Sequence, residues 1–160
     1  MTLNNVSTET DYKTEIERNG VIGFVPGGNS MWPTLKNRGQ SVVVKKKTEK
    51  LKRYDVAFYQ RAGGAFVLHR VMMPTEDGYI MCGDSQLVYE VVKEEQVFGV
   101  MEGFYSGEKY VECTNPEYMR KVERWFKQRQ IRKFVLKMFY LWQRVKNKLK
   151  RIFKKDGENK

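Results

Sequence analysis

Ser30 and His69 are the side chains whose types and surroundings point first to chemistry. Ser30 stands between a glycine pair and a proline turn, in Gly27-Gly28-Asn29-Ser30-Met31-Trp32-Pro33-Thr34-Leu35. A serine hydroxyl is too weak an acid to attack an amide unaided, so it needs a neighbouring base that titrates near the working pH. His69, the only histidine in the chain, is the candidate, embedded in the apolar run Phe66-Val67-Leu68-His69-Arg70-Val71. The flexible Gly-Gly lets backbone amides approach a carbonyl oxygen, so Gly28, Asn29 and Ser30 are the expected oxyanion contacts. Met31 and Trp32 would add a small apolar shelf for substrate or membrane beside the hydroxyl. In Met81-Cys82-Gly83-Asp84-Ser85 an acid follows a glycine at the end of a β-like run, which makes Asp84 the expected orienter of the imidazole, with Asp55 the alternative. Each residue has a plainer reading as well: a surface turn for Ser30, a packed strand histidine, a turn-capping aspartate. One histidine and two scattered cysteines, Cys82 and Cys113, cannot assemble a usual zinc site, so no metal or cofactor is expected.

Positioning such a group is the task of the elements around it. Thr8-Glu9-Thr10-Asp11 opens a short helix that should stop at Asn19-Gly20, after a polar, frayed beginning. From Val21 to about Cys113 short β-rich runs alternate with turn residues: 21–25, 41–44, 55–59, 65–71, 78–81, 89–92 and 96–100. Regularly spaced strands without helices between them predict a mainly β, α+β body with antiparallel or mixed pairing. Gly63-Gly64 reads as a hairpin turn. After Asn115-Pro116 no proline or glycine appears until Gly157, which predicts one long helix. Its Ile131, Val135, Met138, Trp142, Val145, Leu149 and Ile152 recur at alternating spacings of four and three. The expected organisation is a partly helical segment at 1–19, a β domain at 20–114, a basic amphipathic helix at 115–155 and a disordered tail at 156–160.

The order Ser30-Met31-x-Pro33-x-Leu35, Tyr54-Asp55-Val56, Leu68-His69-Arg70-Val71, Gly83-Asp84-Ser85 and Val97-Phe98-Gly99-Val100 resembles the type I signal peptidase and SOS-repressor peptidase superfamily. The resemblance covers about residues 20 to 112 and is closest to the branch that uses histidine as the base. It implies a signal-peptidase-like β-fold and a serine endopeptidase acting on a peptide or leader, in which Ser30 is nucleophile, His69 base and Asp84 third member. It further implies an extended peptide cleaved after a small residue. The family's glycine before the aspartate of the second box is Tyr54 here, and the residue after Gly83-Asp84 is Ser85 where asparagine is usual. The alternative is an inactive peptide-binding module, or an adaptor that works through its basic helix.

Charge separates the two parts. The chain carries 30 Lys and Arg against 19 Asp and Glu, a net +11, and Arg120 to Lys155 alone holds 15 of the bases with one acid, Glu123. Trp125, Phe134, Phe139 and Trp142 interleave with those cations, as in a helix lying in an anionic membrane surface. The same spacing equally suits packing on the β body or a coiled-coil seam with a second copy, and nucleic acid is the least expected partner. The basic stretches Lys45-Lys46-Lys47 and Lys50-Leu51-Lys52-Arg53 read as a solvated loop. With no signal peptide pattern and no apolar stretch of about 20 residues, the expected location is the cytoplasm or the cytoplasmic face of a membrane.

Overall fold

A computed structural model describes residues 9–36 and 39–157. Expectations for residues 1–8, for the last three residues and for the side chains of Leu149, Ile152 and Phe153 lie outside the described residues. The chain forms two compact units, Met1–Glu123 and Arg124–Lys160.

The first unit is an eight-stranded antiparallel sheet. Its strands are β1 (Val21–Phe24), β2 (Val42–Lys46), β3 (Val56–Gln60), β4 (Phe66–Pro74), β5 (Gly78–Cys82), β6 (Glu90–Lys93), β7 (Val97–Ser106) and β8 (Lys109–Glu112). They lie in the order β1-β2-β7-β3-β4-β5-β6, with β8 paired to β7. All seven anticipated β runs are strands, and the hairpin at Gly63-Gly64 closes with Arg61 N donating to Ala65 O at 3.0 Å. β8 was not anticipated. Helix α1 (Glu9–Asn19) ends where Gly20 N donates to Ile16 O at 2.9 Å, and it anchors on the sheet through the fully buried Ile16.

Alternation along the strands sends Ala57, Tyr59, Val71, Tyr79, Met81 and Val92 into one apolar cluster, joined by Leu51 and Val97. Leu51 is therefore buried, while its basic neighbours Lys50, Lys52 and Arg53 stay exposed in the loop. Lys45 and Lys46 end β2, and Lys47 and Lys50 both grip Glu94, Lys50 at 2.9 Å. Burial would raise the Glu94 carboxyl, but bonds from Lys47, Lys50 and Tyr79 bring it down to about 2. Cys82, which is buried, and Cys113 are free thiols.

The expected single long helix is two. α2 (Pro116–Lys127) starts on the Asn115 side chain, whose Oδ1 accepts from Glu117 N and Tyr118 N, and it buries Tyr118 and Val122. α3 (Arg129–Gly157) follows a break at Gln128, carried by no glycine or proline, and runs on through Asp156 and Gly157. Arg132 stacks on the Phe126 ring at 4.3 Å within the second unit. Among the described residues no helix is long and apolar enough to cross a membrane.

Candidate active site

Ser30 is delivered by a turn that follows β1. Gly28, at φ +79°, takes a left-handed backbone conformation that a side chain would strain, and it turns the chain toward Ser30. Trp32 N donating to Asn29 O (3.1 Å) and Leu35 N to Met31 O (2.8 Å) tighten the turn. The turn is then clamped from below. Ser85 N donates to Ser30 O at 2.9 Å, and Ser85 Oγ donates to Asn29 O at 2.8 Å. At Gly83 a Cβ would stand 2.7 Å from Ser30 O, so only glycine allows this approach.

His69 comes from the middle of β4, opposite Ala57 in β3. Ser30 and His69 line one cleft of about 300 Å³, together with Gly28, Met31, Phe66 and Leu68. An aromatic group of Tyr12, Phe24, Phe58 and Phe66 closes part of its wall, with Tyr12 and Phe24 rings 5.1 Å apart and Tyr12 and Phe66 5.5 Å apart. Asn29 and Trp32 do not line this cleft, so the apolar shelf expected of Trp32 has no geometric support here, and the backbone of Asn29 shapes the turn through its carbonyl, which accepts from Trp32 N and Ser85 Oγ.

The acid on His69 is not Asp84. Glu90 Oε1 lies 2.5 Å from His69 Nδ1, and Tyr59 Oη lies 3.1 Å from the same nitrogen while donating to the same carboxylate oxygen. Arg61 grips Glu90 with two nitrogens, at 2.9 and 3.0 Å. An acceptor at Nδ1 fixes the ring proton there and leaves Nε2 to act as base. Burial depresses the pKa of His69 below its usual 6.5, although the hydrogen bond and charge of Glu90 oppose the shift. Burial would raise Glu90, but hydrogen bonds from Arg61, Tyr59 and His69 hold it below the usual carboxylate range. Desolvation and the bond to Glu90 push the Tyr59 hydroxyl far up, so it stays a donor. A neutral imidazole facing an ionised carboxylate is the arrangement a general base requires.

Asp84 has a different partner because neighbouring strand residues point to opposite faces. His69 turns toward Tyr59 and Glu90; Arg70 turns the other way and takes both oxygens of Asp84, at 2.8 and 2.7 Å. The pair is buried, Arg70 at 0% and Asp84 at 1% exposure. Arg70 also donates to Tyr54 O (2.8 Å) and Tyr118 Oη (3.0 Å), and Thr34 of the serine turn donates to Asp84. Burial works against the Arg70 charge, but Asp84 more than offsets it and raises its pKa. Asp84 is thus a positioning residue for the serine turn rather than for the histidine. Asp55, the alternative, accepts from Lys52 N at 2.7 Å in its own turn. Tyr54 adopts φ +77°, the conformation favouring glycine, which is the residue type the resemblance leads one to expect there.

Of the aromatics expected at a membrane, Phe134 and Trp142 are exposed, whereas Trp125 and Phe139 are half-buried. Among the described residues no group of His, Cys, Asp and Glu could hold a metal ion. No protein-family model, no curated protein and no solved structure matches the chain.

Proposed function

We propose that the chain is a serine endopeptidase of signal-peptidase-like fold that cleaves a peptide or leader sequence through an acyl-enzyme. The observation that carries this reading is the single cleft lined by Ser30 and His69, with His69 Nδ1 bonded to Glu90. The order of sequence boxes around them supports it. In the first step Ser30 Oγ bonds to the substrate carbonyl carbon as its proton passes to His69 Nε2, and Nδ1–H donates to Glu90 as the ring becomes positive. Amides near Gly28 to Ser30 hold the oxyanion. The ring then gives its proton to the leaving amine, and the same residues activate a water that releases the acid product. β5 pairs with β4 only from Arg70, so an extended peptide would lie along the edge of Phe66–Leu68 that faces the cleft.

The test is a mixed peptide library digested by wild-type chain and by Ser30→Ala, with new termini read by mass spectrometry. Cleavage at consistent sites by wild type alone is expected. No cleavage, or the same termini from both proteins, overturns the reading and favours a module that only binds peptide.

Gly83→Ala is a sharper probe of the clamp on the serine turn. The added methyl meets Ser30 O at 2.7 Å and the Gln86 side chain at 3.0 Å. It is expected to cost about 1–3 kcal/mol of stability by overpacking, and about 100-fold in kcat through displacement of Ser30 by roughly 1 Å. Thermal unfolding and steady-state kinetics on the same sample separate the two effects.

A further inference from the structure

α3 keeps an apolar face that nothing in the chain's proposed chemistry uses. Ile131, Phe134, Met138, Leu141, Trp142 and Val145 are each 49–65% exposed. At 100° per residue they fall within an arc of about 100°, a continuous stripe along one side of the helix. Exposed Lys133, Lys137 and Lys148 border the stripe on one side, and Lys146 borders it on the other, its Nζ 4.7 Å from the Trp142 ring. The helix spans 29 residues, about 43 Å. It carries eleven Lys and Arg and a single acid, Asp156.

The charge pattern decides what covers such a face. A second copy would bring basic borders against basic borders, with no acids along the stripe to pair them, as a stable seam requires. Nucleic acid would answer the cations but leave the six apolar side chains in water. A bilayer surface containing anionic lipid answers both, because headgroups meet the lysines while the stripe sinks to the acyl boundary. We infer that α3 is an in-plane docking helix for anionic membrane surfaces, with Phe134, Met138 and Trp142 as its inserted residues. The inference is independent of the peptidase chemistry, and Ser30→Ala should bind membranes as the wild type does.

The experiment floats the full chain with vesicles of phosphatidylcholine mixed with phosphatidylglycerol, and with phosphatidylcholine alone. Binding is expected to the mixed vesicles and at least about tenfold weaker to neutral ones. Replacing Lys133, Lys137 and Lys148 together by glutamine should weaken it on the order of 100-fold. The pair Phe134→Gln and Met138→Gln should abolish it without loss of helix by circular dichroism, since both side chains are exposed. Brominated lipid should quench tryptophan emission, and Trp142→Phe should remove that quenching. The inference is overturned if the chain stays in the aqueous fraction, or if the Phe134 and Met138 variant binds as well as the wild type. It is equally overturned by a dimer in solution that those two substitutions dissolve while vesicles capture nothing.

Discussion

Turnover is expected to fall on the order of 10⁶-fold on Ser30→Ala, by a similar factor on His69→Ala, and no further when both are changed. The reason is that nucleophile and base act as one unit: without the base the hydroxyl keeps its proton, and without the hydroxyl the base has nothing to activate. Glu90→Gln should stand apart, costing about 10⁴-fold. Its amide can present N–H to Nδ1, which selects the wrong tautomer, and it cannot stabilise the imidazolium that forms on attack. The pH profile supplies a second readout. Because burial sets the pKa of His69 below 6.5, kcat/KM should rise with pH through a midpoint below that value and stay level through neutrality. The hydrogen bond and charge of Glu90 both hold His69 up, so Glu90→Gln should move the midpoint lower still while lowering the plateau. Rates of product formation from one cleaved peptide, followed over pH for the wild type and the four variants, check this. Additive losses for Ser30 and His69, or full activity in Glu90→Gln, would refute the assignment.

Arg70→Met is expected to destabilise the fold by about 3–5 kcal/mol, because it strands the Asp84 carboxylate in a site at 1% exposure. For a chain of this length that corresponds to a loss on the order of 10 °C in Tm. The double variant Arg70→Met with Asp84→Leu should recover a large part of the loss, since two apolar side chains need no compensating charge. Thermal unfolding of the two single variants and the double closes the cycle. Equal or greater destabilisation in the double variant would mean that the bonds from Arg70 to Tyr54 O and Tyr118 Oη, rather than the ion pair, hold the site together.

These two networks also mark where the sequence stops being legible. The runs at 21–25 and 65–71 announce strands through their β-branched and aromatic residues, and the structure has strands there. β8 hides because Lys109-Tyr110-Val111-Glu112 offers a single β-branched residue between its charged ends, where β6 of the same length has the pair Val91-Val92. The break at Gln128 leaves no trace, since neither glycine nor proline marks it. Ser30 and His69 are only candidates by residue type, and the resemblance carried by the order of the boxes around them is what singles them out. Glu90 could not be paired with His69, because that requires the order β4-β5-β6 and the register in which Arg70 meets Cys82 and Met81 meets Glu90. The same applies to Tyr59, which approaches His69 only through the pairing of β3 with β4. An acid next to a glycine turn was the visible signal, and it led to Asp84, whose carboxylate serves Arg70 on the opposite face.

Tyr118 decides where the chain can be shortened. Its ring lies 5.8 Å from Phe104, its hydroxyl meets Arg70, and the residue is buried, as is Val122 one turn later. A fragment stopping at Thr114, where the β-rich text of the sequence ends, would open a hole beside the guanidinium and let water onto the Asp84 pair that holds Thr34. The smallest piece able to keep Ser30 in register must therefore include the first two turns of α2, so the root of the helical extension is a structural part of the sheet it follows.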